Sequence, residues 1–240
     1  MSEEVGQNRS QMRRIWWLGL LASAVFAAGS SAALTLPRTL HDKTTTTPLL
    51  EKVTKVVVNG DVGDLTIKAG TPARVTTEQR WNLAAPTVTE TIHGGVLMVT
   101  TRCPNLPENN CSVDVVATVP SRVAVDATAG VGTILTRSLS GPEVLHSGVG
   151  SIASADVRAT TFEARVGAGD VLVSLPAAPG VTTLVTGTGD IHASVPPGGY
   201  VLATRSEVGH VYVTGVTDDA HASRRLTAST GAGDVFVTGH

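Results

Sequence analysis

Gly167-Ala-Gly-Asp-Val171, Gly187-Thr-Gly-Asp-Ile191 and Gly231-Ala-Gly-Asp-Val235 are three copies of one phrase. Gly130-Val-Gly-Thr-Ile134 and Gly148-Val-Gly-Ser-Ile152 vary it at the fourth position, and Glu207-Val-Gly-His-Val211 is a degenerate copy. The second glycines fall at Gly132, Gly150, Gly169, Gly189, Gly209 and Gly233, a period of about twenty residues. Self-similarity at such a period marks a chain organised by stacking of equivalent units. The phrase recurs and is followed by β-forming residues. A dinucleotide-binding turn occurs once and opens a helix, so that reading fails even for Gly148-Val-Gly-Ser-Ile-Ala153, which matches its spacing.

The residues around each phrase alternate. In Thr161-Phe-Glu-Ala-Arg-Val166, Phe162, Ala164 and Val166 share one side and Glu163 and Arg165 the other. After the turns, Val171, Val173 and Leu175 share a side, as do Ile191, Ala193 and Val195, and Val211 with Val213. Period-two alternation with one apolar side predicts strands with one buried face. One such unit cannot bury its apolar face alone, so units must stack. The expectation is an all-β solenoid (β-helix) of about twenty-residue repeats, two strands and one glycine turn to each coil. Residues 53–120 predict strands of less regular length. Asn59-Gly60 is expected there as a tight turn between Lys55–Val58 and Asp64–Ile67, and Trp81 as a core plug.

Composition agrees with an exported β protein. Aromatic residues are 3% and charged residues 16% of the 240, with a net charge of −2. That balance, without an extended basic block, argues against a nucleic-acid partner. Residues 15–36 are uncharged and mostly apolar, long enough to cross a bilayer, with Arg9, Arg13 and Arg14 before them and Trp16-Trp17 at the edge. The organisation expected is a cytoplasmic tail over 1–14, a transmembrane helix or uncleaved signal anchor over 15–36, a polar tether over 37–52, and a repeat domain over 53–240. A cleaved signal peptide, using the small residues Ser31 and Ala33, is the alternative. Both place the repeat domain outside the cytoplasm. Cys103 and Cys111 flank Pro104-Asn-Leu-Pro-Glu-Asn-Asn110. In an oxidising compartment such a pair reads as a structural disulfide.

Asp170, Asp190 and Asp234 follow the second glycines, with Asp64 as a possible earlier relative, and stacking would align them. Calcium favours carboxylate and carbonyl oxygens, yet Thr133, Ser151 and His210 take the same place, which weakens a metal ladder. A short polar side chain bonding nearby backbone in the turn is the reading taken, with no metal site and no cofactor. The sequence contains no phosphate-loop lysine and no nucleophile elbow, and its histidines are scattered.

The paired cysteines before Val113-Asp-Val-Val-Ala-Thr-Val-Pro120, the run Val123-Ala-Val-Asp-Ala-Thr-Ala-Gly-Val-Gly132, the link Val195-Pro-Pro-Gly-Gly-Tyr200 and the ending Thr227–Val235 resemble the bacterial putative-adhesin β-strand-repeat family (DUF4097), over roughly Val53 to Val237. His210, Thr133 and Ser151 depart from that family's usual pattern. The resemblance implies a surface-exposed β-helical domain, often membrane-tethered, with no catalytic residues to carry over. The function expected is a non-enzymatic, membrane-anchored cell-envelope protein that binds an envelope protein or polymer. A carbohydrate-active β-helix enzyme is one alternative; the outward positions Leu172, His192, Ser194, Tyr212, Thr214 and Phe236 are mostly uncharged, where such enzymes cluster carboxylates. A transmembrane envelope-stress sensing subunit is the other, limited by a tail of fourteen residues. The last strand, Asp234–Thr238, is expected to be an open edge available for self-association.

Overall fold

The computed structural model describes residues 39–240. The expected transmembrane helix over 15–36 and the tail before it lie outside the described residues. Among the described residues no helix is long and apolar enough to cross a membrane.

The described chain is all strand and turn. Its first third contains β1 (His41–Pro48), β2 (Lys55–Val62), β3 (Leu65–Ala69), β4 (Arg74–Trp81), β5 (Thr87–His93), β6 (Val96–Arg102) and β7 (Ser112–Val119). The regular repeats follow as β8 (Ala124–Val131), β9 (Ile134–Arg137), β10 (Glu143–Val149), β11 (Ile152–Ala155), β12 (Thr161–Ala168), β13 (Val171–Ser174), β14 (Val181–Thr188) and β15 (Ile191–Val195). The last part holds β16 (Gly198–Val208), β17 (Val211–Thr214), β18 (Val216–Asp218), β19 (Arg225–Ala232) and β20 (Val235–Gly239). Each glycine turn carries the chain from a long strand in one sheet to a short strand in the other. Sheet A runs β1-β4-β7-β3-β9-β11-β13-β15-β20-β17, and sheet B runs β18-β16-β19-β14-β12-β10-β8-β2-β6-β5. Pairing is parallel except where β1, β4 and β7 meet in sheet A and β5 meets β6 in sheet B. Two large, mostly parallel sheets are consistent with a β-helix-like fold.

The core consists of rows running along the stack. Leu65, Ile134, Ile152, Val171, Ile191 and Val235, each the first residue after a glycine turn, lie in register and are fully buried. Each contributes roughly 1.5–3 kcal/mol through burial. Opposite them in sheet B, Ala127, Leu145, Ala164, Leu184 and Ala228 align in register. Small and large alternate, so each leucine fills the space its alanine neighbours leave.

Four expectations are corrected. The stretch expected as a tether contains β1, which pairs antiparallel with β4 along eight residues, so ordered structure begins before Val53. Its threonines are β-branched and extend readily along a free strand edge. Asn59-Gly60 lies inside β2; the turn is at Gly63, within Asp61-Val-Gly-Asp-Leu65, an early copy of the repeat phrase. A hairpin would have paired β2 with β3, whereas stacking places them in opposite sheets. Trp81 is half-buried and stacks on His41 at 5.5 Å between ring centroids, outside the core.

The fourth correction concerns the chain's last strand. β20 is not an edge: it pairs with β15 on one side and β17 on the other, while β19 sits between β14 and β16. The last coil is inserted inside the coil that precedes it in sequence. The first part of the chain does the same, since β2 and β3 lie between β6–β7 and β8–β9. Among the described residues the open end of sheet A beyond the regular coils is therefore β17.

Candidate binding face

The turns set the geometry of every outward side chain. Gly132, Gly150, Gly169, Gly189, Gly209 and Gly233 all adopt positive φ, between 131° and 151°. They stack, each over the carbonyl of its neighbour: a Cβ on Gly169 would fall on the Gly150 carbonyl group. The residues after them form a ladder of side chain-to-backbone bonds between coils. Asp170 Oδ1 accepts the Asp190 N–H at 2.9 Å, Asp190 Oδ1 accepts the Asp234 N–H at 2.7 Å, and Asp234 Oδ1 accepts the His210 N–H at 2.8 Å. Earlier, Asp114 Oδ1 takes the Asp64 N–H and Asp64 Oδ1 the Thr133 N–H. The expectation of bonding to nearby backbone is refined: the acceptor serves the next coil rather than its own turn. Among the described residues no three His, Cys, Asp or Glu side chains converge as metal ligands.

His210 now has a physical reason. Among the described residues it stands in the outermost coil, and none of them lies beyond it to present an N–H to accept. A second ladder escaped the sequence reading. Ser147, Thr186 and Thr230 donate from inside to the carbonyls of Gly132, Gly169 and Gly189, and Ser206 to that of Gly233, at 2.8–2.9 Å. Each hydroxyl stands three residues before a second glycine, the spacing that would have revealed it.

Cys103 and Cys111 are joined as a disulfide that closes the loop between β6 and β7, where the repeat's glycine turn is absent. Asp61 Oδ2 accepts the Cys103 N–H at 3.1 Å. A shallow depression of about 310 Å³ beside it is lined by Asn59, Asp61, Thr100, Thr101 and Arg102.

On this frame the outward face of sheet A carries two parallel rows. Register places Leu172 beside His192, His192 beside Phe236, and Phe236 beside Tyr212. The His192 and Phe236 rings stack at 4.6 Å and 6°, and Phe236 and Tyr212 at 5.0 Å and 8°. Ser174, Ser194, Thr238 and Thr214 align as a row of hydroxyls alongside. Between and beyond the rows lies a shallow groove of about 500 Å³, lined also by Ala153 and Ala155, with no Asp, Glu, Lys or Arg side chain in its lining. His240 Nδ1 lies 2.8 Å from Ser194 Oγ at its margin. The surface offers ring edges, aliphatic contact and hydroxyl hydrogen bonds on a rigid scaffold. The expected outward residues Leu172, His192, Ser194, Tyr212, Thr214 and Phe236 all lie here; that the chain order is rearranged so that β20 lies between β15 and β17, bringing three rings together, was not legible in the sequence.

The carboxyl group with the most perturbed environment is elsewhere. Glu143 faces the core between Val125 and Phe162 and is fully buried. Burial pushes its pKa up to about 7, partly offset by the nearby Thr136 hydroxyl. Thr136 Oγ1 itself donates to Ser154 Oγ at 2.8 Å, and neither Glu143 oxygen has a well-placed hydrogen-bond partner. Sealed in this way, it reaches no external substrate.

No family model matches the chain, and no curated protein matches it. Its backbone is similar to solved structures of bacterial proteins. A "putative cell adhesion protein" from Clostridium sporogenes superposes with a TM-score of 0.48 at 10% identity, covering 83% of this chain and 100% of that one. A "putative adhesin" from Bacteroides fragilis gives 0.47 at 12%, covering 82% and 97%. One from Parabacteroides distasonis gives 0.43 at 12%, covering 83% and 98%. At this identity and superposition the likeness carries no functional argument.

Proposed function

We propose that this chain is a non-enzymatic, adhesin-like module of the cell envelope, tethered by its apolar segment 15–36 and displaying sheet A outside the cytoplasm. Assignment to the DUF4097 family is part of the same proposal and rests on the motif order described above. The observation that carries the binding role is the exposed row Leu172, His192, Phe236 and Tyr212 beside the hydroxyl row, on a sheet that alternation would otherwise leave polar. Stacked rings with adjacent hydroxyls suit a polymer that offers both apolar faces and hydrogen-bonding groups, whether glycan or extended peptide.

The test displays the full chain on cells and measures retention on immobilised cell-envelope fraction. Phe236→Ser combined with Tyr212→Ser should lower retention at least tenfold while the melting temperature of the domain moves little. Equal retention would remove sheet A as the contact face. Release of new reducing ends from envelope polysaccharide by the wild type, absent in a heat-inactivated control, would establish the enzyme alternative instead.

A further inference from the structure

We propose that the chain forms an isologous dimer by antiparallel pairing of the open coil, β16 and β17, with the same coil of a second copy. Among the described residues β17 has a partner on one side only, and β18 covers β16 only at Gly198–Tyr200. The rest of β16 therefore has no strand on its outer side among the described residues. Val201 donates its N–H to the Arg224 carbonyl. Alternation then turns the peptide groups of Thr204 and Ser206 outward, and Leu202 has its N–H taken by Asp218. An unpaired edge with outward N–H and C=O groups is a template for another strand.

The side chains say which strand. Val211 is 39% exposed, an apolar side chain at the uncovered end of an otherwise closed core. Val211 belongs to the same row as the fully buried Val235 and Ile191, one coil short of cover. Arg205 and Glu207 flank Ser206 on the outer face, both largely exposed and ion-paired to each other at 3.3 Å within the chain, an arrangement that a second copy can exchange for cross-strand pairs. A two-fold antiparallel pair centred on Ser206 sets Arg205 opposite the partner's Glu207 and Glu207 opposite the partner's Arg205. Thr204 then faces the partner's Val208. The strand is thus charge-complementary to itself in the antiparallel sense, and opposite charges directly across a pair stabilise it. In sheet A the same operation brings Tyr212 near the partner's Tyr212, continuing the ring row that starts at His192.

The other end of the solenoid does not match. β1, His-Asp-Lys-Thr-Thr-Thr-Thr-Pro, is antiparallel to its neighbour and carries Asp42, Lys43 and Pro48, residues that discourage edge pairing. Head-to-tail growth into filaments is disfavoured for that reason, and a two-fold contact closes on itself.

The test uses the full chain in detergent micelles, with mass measured by light scattering across a concentration series. The wild type should be a dimer at micromolar concentration. Arg205→Glu should weaken it at least tenfold by setting like charges across the pair, and Arg205→Glu with Glu207→Arg should restore it. Circular dichroism melting should be unchanged in both, since these positions are exposed. A wild-type monomer, an open-ended series of larger species, a dimer indifferent to Arg205→Glu, or a double variant that stays monomeric would each overturn the proposal.

Discussion

Gly169 and Gly94 separate two reasons for glycine in this chain. Both have positive φ, but a Cβ on Gly94 meets open space and one on Gly169 meets the Gly150 backbone. Gly94→Ala should cost only the conformational penalty of about 1–2 kcal/mol. Gly169→Ala should cost clearly more, seen as a lower melting temperature, because two coils must move apart. Equal losses would show that the close approach between coils is unimportant. Glu143 sets a second residue-scale expectation. Between the ordinary value of 4.5 and about 7, the folded protein keeps a proton that the unfolded chain has released. Stability contributed by the protonated carboxyl is fully present below pH 4.5 and is lost as pH rises through 7, by about 3 kcal/mol in all. Glu143→Gln should flatten that part of the stability–pH curve, measured by denaturant melts at pH 4.5, 6 and 8. An unchanged slope would mean that other groups set it.

Among the elements, the loop between β6 and β7 replaces the glycine turn with a cross-link. A short closed loop of this kind removes unfolded-state entropy equivalent to about 2–3 kcal/mol. Cys103→Ser with Cys111→Ser should lower stability by about that amount in chemical denaturation. The loop should keep its place, because Asn82 Oδ1 accepts the Asn110 N–H at 2.8 Å and Asn82 Nδ2 donates to the Glu108 carbonyl at 2.9 Å. Loss of strand protection at β7 in hydrogen exchange would show that the disulfide, and not these amides, positions the loop. The repeat phrase made most coils legible at this scale. It could not show that Asn59-Gly60 continues a strand, since a turn dipeptide is a local signal and stacking is not.

For the molecule as a whole, the decisive feature is that spatial order departs from chain order at both ends of the solenoid. A solenoid stacked in sequence can add coils one after another. Here β16 and β17 cannot reach their places until β19 and β20 have docked on β14 and β15. In pulse-labelled refolding, amides of 198–214 should gain protection together with or after those of 225–239, never before. Earlier protection of 198–214 would mean that this coil first docks directly on β14 and β15 and is later displaced.

The sequence by itself determined the strands, the turns and the buried side of the regular coils from β8 to β15, because alternation and glycine spacing are local and each copy repeats them. It also marked Cys103 and Cys111, and the outward positions that later formed a face. It did not determine neighbours. Any coil of this phrase can stack on any other, since each offers the same glycine carbonyl, the same acceptor and the same first apolar residue. Only the tertiary structure decided that β20 lies between β15 and β17, that Phe236 therefore joins His192 to Tyr212, and that the coil bearing His210 stands at the open end.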